Sequence, residues 1–131
     1  MKDQLESVLV LGLGKVGTLV GILLEKTGFQ VTGADFLDKA DLPFQTTQIN
    51  VADIDQLTKM MREYDAVVSC LPYKFNLEIA TRACRHGIHY FDLTEDVPTT
   101  KQIITMSATA QSVLAPQCGL APGFIGIVGA A

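Results

Sequence analysis

Histidine is scarce in this chain, with 2 among 131 residues, and basic side chains are outnumbered by acidic ones. Ten lysines and arginines against fourteen aspartates and glutamates leave a net charge of −4. No basic stripe is present. Binding to a nucleic-acid backbone needs clustered Lys and Arg to displace counterions, so nucleic acid is excluded as a partner. Cysteine is sparse as well: Cys70, Cys84 and Cys118 are odd in number and lack metal-type spacing. They read as reduced thiols, with no metal site. The chain also lacks an unbroken apolar run of membrane-spanning length. Residues 8–24 come nearest, but Lys15 and several glycines interrupt them. No charged-then-apolar secretion signal precedes that stretch. The expectation is a cytoplasmic domain with no membrane partner.

What remains is a core-forming composition. Hydrophobic residues make up 48% of the chain and charged residues 18%, which suits one well-buried globular domain. The apolar run Val8-Leu9-Val10-Leu11 leads into Gly12-Leu13-Gly14-Lys15-Val16-Gly17, then into a helix-like run to Lys26. A strand, a glycine turn, a helix, a second strand and an acid follow in that order. This is the dinucleotide-binding fingerprint in its structural context. Gly12 allows the sharp strand-to-helix turn. Gly14 lets the backbone approach a pyrophosphate, and Gly17 lets the helix lie close to the sheet. The amides of Lys15 and Val16, at the start of the helix, are expected to meet the phosphates, with the helix dipole behind them. The Lys15 side chain itself reads as solvated.

Asp35 lies about twenty residues beyond the turn, where the pattern expects an acid. A carboxylate there accepts hydrogen bonds from the adenosine ribose and repels a 2′-phosphate. Phe36 follows, where an NADP site can carry an arginine. This pair points to NAD, with NADP the less favoured cofactor. Lys39 is the nearby cation that weighs the other way.

Strands are expected at 7–11, 30–34, 45–50, 65–69, 88–93 and 112–115. Helices are expected at 15–27, from 52 or 53 onward, at 75–86 and at 98–110. Val16, Val20, Leu23 and Leu24 fall on one face of the first helix at helical spacing, and Leu77, Ala80 and Cys84 on one face of the third. The regular alternation implies an α/β fold, a doubly wound parallel sheet of about six strands in the order 3-2-1-4-5-6. Ligands in such sheets lie across the carboxyl ends of the strands, where the order reverses. That places Ser69, Cys70, Leu71 and Pro72, after strand four, beside the cofactor. Asp53 and Ile54, after strand three, fall where the adenine ends, and Asp53 also suits a helix N-cap.

Three further segments go beyond the fingerprint: Val67-Val68-Ser69-Cys70-Leu71-Pro72-Tyr73, His89-Tyr90-Phe91-Asp92-Leu93-Thr94 and Cys118-Gly119-Leu120-Ala121-Pro122-Gly123. With the glycine turn they resemble the saccharopine dehydrogenase family, which includes lysine 6-dehydrogenase-like and carboxynorspermidine synthase-like enzymes. The resemblance covers essentially the whole chain and implies that family's N-terminal Rossmann cofactor domain. It further implies an NAD(P)-dependent oxidoreductase acting at a carbon–nitrogen bond of an amino-acid substrate, with a larger second domain that shapes the pocket and usually a dimer. Ala121 stands where many relatives carry an acid, so the resemblance does not single out saccharopine.

Residues 124–131 are apolar and carry no cap, so residues 1–131 are expected to be a single dinucleotide-binding domain at the start of a longer chain. No catalytic residue is assigned. His86 and His89 read as surface or cap residues, Asp92 as a loop hydrogen bond, and Cys118 lacks an adjacent base. The alternative function is a non-catalytic NAD(H)-sensing regulatory domain, which needs the same glycines and acid but not the Gly119–Gly123 segment.

Overall fold

Val8, Leu9, Val10 and Leu11 are all fully buried, because strand β1 (Ser7–Leu11) is covered on both faces. Val8 and Val10 face helix α1 (Lys15–Thr27), where Val20 and Leu24 meet them. Leu9 and Leu11 face the other layer, with Leu57, Met61, Ile79 and Ile103. Each such side chain contributes about 1.5–3 kcal/mol on burial, so this strand anchors both layers. The computed structural model describes residues 5–39, 41–93 and 96–116.

The remaining strands are β2 (Gln30–Asp35), β3 (Gln45–Gln48), β4 (Ala66–Ser69), β5 (His89–Asp92) and β6 (Leu114–Ala115). All pairings are parallel, and the order is β3-β2-β1-β4-β5-β6, as the alternation implied. Helices α2 (Ile54–Met61), α3 (Asn76–His86) and α4 (Val97–Ser107) connect β3, β4, β5 and β6 in turn. Their buried residues Leu57, Met61, Ile79, Ala83 and Ile103 share one cluster, opposite α1. Among the described residues, the link from β2 to β3 has no helix. The order therefore reverses between β1 and β4, and the strand ends there carry Leu11 beside Ser69 and Ser69 beside Asp92.

Two helix faces differ from the periodicity reading. The buried residues of α1 are Gly17, Val20, Gly21 and Leu24, while Val16 is exposed. Hydrophobic spacing favoured Val16 and Leu23, but the helix lies so close to the sheet that glycines occupy its contact face. An added Cβ at Gly21 would stand 2.6 Å from the Phe44 ring, and one at Gly33 2.6 Å from a Leu13 methyl. In α3 the buried residues are Asn76, Ile79, Ala80 and Ala83; Ala80 falls inward as expected and Cys84 packs half-buried on the same cluster, whereas Leu77 is exposed. A 3-10 turn at Tyr73–Phe75 precedes α3. Asp96 caps α4, its carboxylate accepting from the Thr99 amide at 3.1 Å. Strands β3, β5 and β6 are each two residues shorter than expected.

Candidate functional site

The site begins where β1 ends. Gly12 adopts φ +90°, and its amide donates to the Ala34 carbonyl at 2.8 Å. A Cβ at Gly12 would lie 3.0 Å from the Cys70 carbonyl oxygen, so the turn rests against the loop that follows β4. Gly17 sits directly under this turn, and a Cβ there would overlap the Gly12 carbonyl oxygen. Gly12 and Gly17 are thus required by the fold itself.

Gly14 is different. Its backbone is extended, at φ −75° and ψ −159°, and an added Cβ would meet nothing within 4 Å. Packing does not explain a glycine at this position. The space beside it is what the backbone would offer to a ligand. Gly14 is also the N-cap of α1, and no side chain caps that helix. By contrast, Asp53 caps α2 and Asp96 caps α4. The first turn of α1, which includes Lys15 and Val16, thus has no side-chain cap and no acidic residue of its own, an arrangement suited to an anion. Thr18 steadies the turn by donating its hydroxyl to the Leu13 carbonyl at 3.2 Å.

Asp35 ends β2 beside the turn. Its Oδ2 accepts from the Leu13 amide at 2.6 Å, and its Oδ1 accepts from the Leu37 amide at 3.2 Å. The carboxylate is fixed by two backbone donors, and each oxygen keeps a further lone pair for a ribose hydroxyl. Phe36 is 68% exposed and helps to line a cavity of about 420 Å³ with Leu37, Gln48, Ile49, Asn50 and Gln56. This cavity opens at the carboxyl ends of β2 and β3. Its polar residues Gln48, Asn50 and Gln56 were missed by motif reasoning; the rule that ligands lie at strand carboxyl ends is the signal that could have found them. Asp53 and Ile54 stand next to this cavity without lining it, and the Asp53 carboxylate accepts from the Gln56 amide at 3.2 Å.

On the other side of the turn, the Ser69 hydroxyl is turned inward. It donates to Asn76 Oδ1 at 2.6 Å and is buried, so this hydroxyl is engaged inside the protein. Cys70 packs beneath the glycine turn, and burial, aided by the Asp92 charge, pushes its thiol up to about 12. It stays protonated at neutral pH and is no nucleophile. Leu71 touches Gly12 through its side chain, and Pro72 starts the 3-10 turn. Asp92 is fully buried and accepts from the Tyr90 hydroxyl at 2.5 Å. His89 Nδ1 accepts from the Val113 amide at 3.0 Å, a structural task that joins β5 to the chain entering β6. Cys118 and the Gly119–Gly123 segment lie outside the described residues. Among the described residues no cluster of His, Cys, Asp or Glu could hold a metal, and no helix is long and apolar enough to cross a membrane.

The structure thus brings the turn, the Asp35 carboxylate and the 69–72 loop together along one edge of the sheet. A family model, the saccharopine dehydrogenase NADP binding domain, matches residues 8–118, which spans all of these features. The chain belongs to the saccharopine dehydrogenase family. Among solved structures, the apo saccharopine dehydrogenase (L-Glu forming) of Saccharomyces cerevisiae is similar at TM-score 0.75 and 24% identity. That similarity covers 90% of this chain and 28% of the yeast one. MoeE5, in complex with UDP-glucuronic acid and NAD, is similar at TM-score 0.70 and 12% identity over 84% of this chain and 53% of its own. A Kef CTD from Shewanella denitrificans in AMP-bound form is similar at TM-score 0.64 and 20% identity, over 83% and 70% of the two chains. At these identities the likeness is one of fold. This member of the saccharopine dehydrogenase family spans little more than a quarter of the yeast enzyme's length.

Proposed function

We propose that this chain is the dinucleotide-binding domain of an NAD(P)-dependent oxidoreductase that acts at a carbon–nitrogen bond of an amino acid. The observation that carries the reading is the Asp35 carboxylate held 2.6 Å from the Leu13 amide, beside an uncapped helix start. One feature is complementary to a ribose and the other to a pyrophosphate. The family match over residues 8–118 supports the dehydrogenase over a nucleotide-sensing module, which shares the turn and the acid. The pyrophosphate would lie on the amides following Gly12, and the ribose on Asp35. The adenine would lie in the cavity at Phe36, near the start of α2 at Asp53 and Ile54. The nicotinamide half would extend past the 69–72 loop. The dinucleotide, when bound, supplies or takes the hydride; the residues described here bind and orient it. The substrate pocket, and with it the catalytic groups and any dimer contact, belongs to a further domain of the kind the yeast enzyme's greater length allows.

NAD is the preferred cofactor in this proposal, although the family description names NADP. Hydrogen bonds from ribose hydroxyls to an ionised carboxylate are worth roughly 1.5–3 kcal/mol, and a 2′-phosphate would lose them and meet like charge. Wild-type protein should therefore bind NADH about tenfold or more tightly than NADPH. Replacing Asp35 with Ser and Phe36 with Arg should reverse the order, since the guanidinium offers a planar fork to phosphate. The swap also strands the Leu13 amide, so the best affinity of the double variant should fall below that of wild type. Calorimetry with both dinucleotides at two salt concentrations tests this. Wild type that prefers NADPH would sink the assignment of Asp35.

A further inference from the structure

Asn76, the first residue of α3, is completely buried, and its Nδ2 has no hydrogen-bond partner among the described residues. A buried amide left half-satisfied is unfavourable, and an apolar residue would be easier to bury there. Its other end explains its presence. The 2.6 Å contact with the Ser69 hydroxyl has the length of an O–H···O bond, so Oδ1 accepts the single proton that Ser69 has to give. With that proton fixed, the Ser69 oxygen turns its lone pairs back to its own loop, where the Leu71 amide lies at 3.5 Å. The Cys70 amide is held separately by the Leu11 carbonyl at 2.8 Å. The loop 69–72 is thus tied down from beneath by Asn76 and from the side by β1. The same loop lies against the turn, since the Cys70 carbonyl and the Leu71 side chain both crowd Gly12.

We propose that Asn76 is a positioning residue for the cofactor loop: through Ser69 it sets the shape that residues 69–72 present to the nicotinamide half of the dinucleotide. The inference rests on the proposed dinucleotide site. Asn76 itself has no access to the ligand, so its influence runs only through Ser69 and the loop.

Asn76→Leu alone strands the Ser69 hydroxyl, and joined with Ser69→Ala it removes both polar partners together. Calorimetry with NADH and with ADP separates the ends of the site, because ADP reaches only the turn and the adenine cavity. NADH should bind roughly threefold to tenfold more weakly to the paired variant, the size of one or two lost hydrogen-bond constraints, while ADP binds as to wild type. The melting temperature of the pair should recover toward wild type relative to Asn76→Leu, with no recovery of NADH affinity. Ser69→Ala, which deletes one hydroxyl, should show the same split if the larger substitution does not fold. Variants that bind NADH as wild type does, or that lose NADH and ADP equally in step with stability, would overturn the inference. Wild-type protein that binds neither ligand would instead overturn the proposed function, and the role given to Asn76 with it.

Discussion

Gly14 and Gly17 are three residues apart and do opposite things. Gly17 has the Gly12 carbonyl oxygen where its Cβ would be, whereas Gly14 has free space and a backbone that any residue can adopt. Gly17→Ala should therefore destabilise the fold by about 3 kcal/mol or more, through overpacking against backbone that cannot yield. Gly14→Val should leave the melting temperature near that of wild type and abolish NADH binding, because the branched side chain fills the space assigned to the pyrophosphate. Thermal melts and calorimetry on the two variants check both statements; unchanged affinity in folded Gly14→Val would remove the pyrophosphate from this turn. His89 supplies a pH-dependent counterpart. Burial lowers its pKa below the usual 6.5, against the opposing pull of Asp65, and its Nδ1 must be unprotonated to accept from Val113. The unfolded chain takes up this proton first as pH falls. The stabilisation is thus fully present above about pH 6.5 and is lost as pH falls through the lower folded value. His89→Asn keeps an acceptor and removes the titration, so urea melts between pH 5 and 8 should show a shallower loss of stability in the variant than in wild type. Equal slopes would contradict this role.

The elements come together through close contacts that hydrophobic spacing does not encode. Phe44, just before β3, seats its ring against Gly21 of α1 and Gly33 of β2, which anchors the link between β2 and β3. Phe44→Ala should cost about 3 kcal/mol, since neither glycine can fill the void, and a denaturant melt reads this directly. A loss below about 1 kcal/mol would show that the link is held elsewhere. The strand order and the limits of α1 were legible in the sequence, because apolar runs, glycine stops and parallel alternation all agree there. The inward faces of α1 and α3 were legible only in part: Val20, Leu24 and Ala80 are buried as expected, whereas Val16 and Leu77 are exposed. In α1, glycine carries no hydrophobic signal although it forms the contact face; in α3, a buried Asn76 replaces an apolar residue. The turn and Asp35 were legible as a motif with fixed spacing. The inward turn of Ser69 was not, because its partner lies in the next helix.

Across the whole molecule, the proposed dinucleotide runs along the carboxyl edge of the sheet, from the cavity at Phe36 past Gly14 to the 69–72 loop. A larger cavity of about 930 Å³ lies at the opposite edge, lined by residues such as Ser7, Glu25, Gln30 and Tyr64. Its size alone does not make it the site, because it has neither the glycine turn nor the acid of the fingerprint. The change in backbone amide NMR shifts as NADH is titrated into the chain distinguishes the two edges. Saturable shifts are expected at Gly12, Leu13, Gly14, Lys15, Val16, Asp35, Phe36 and Leu71, with Ser7, Gln30 and Tyr64 unmoved. Shifts centred on those last residues, or none that saturate at millimolar NADH, would refute a dinucleotide site at the glycine turn.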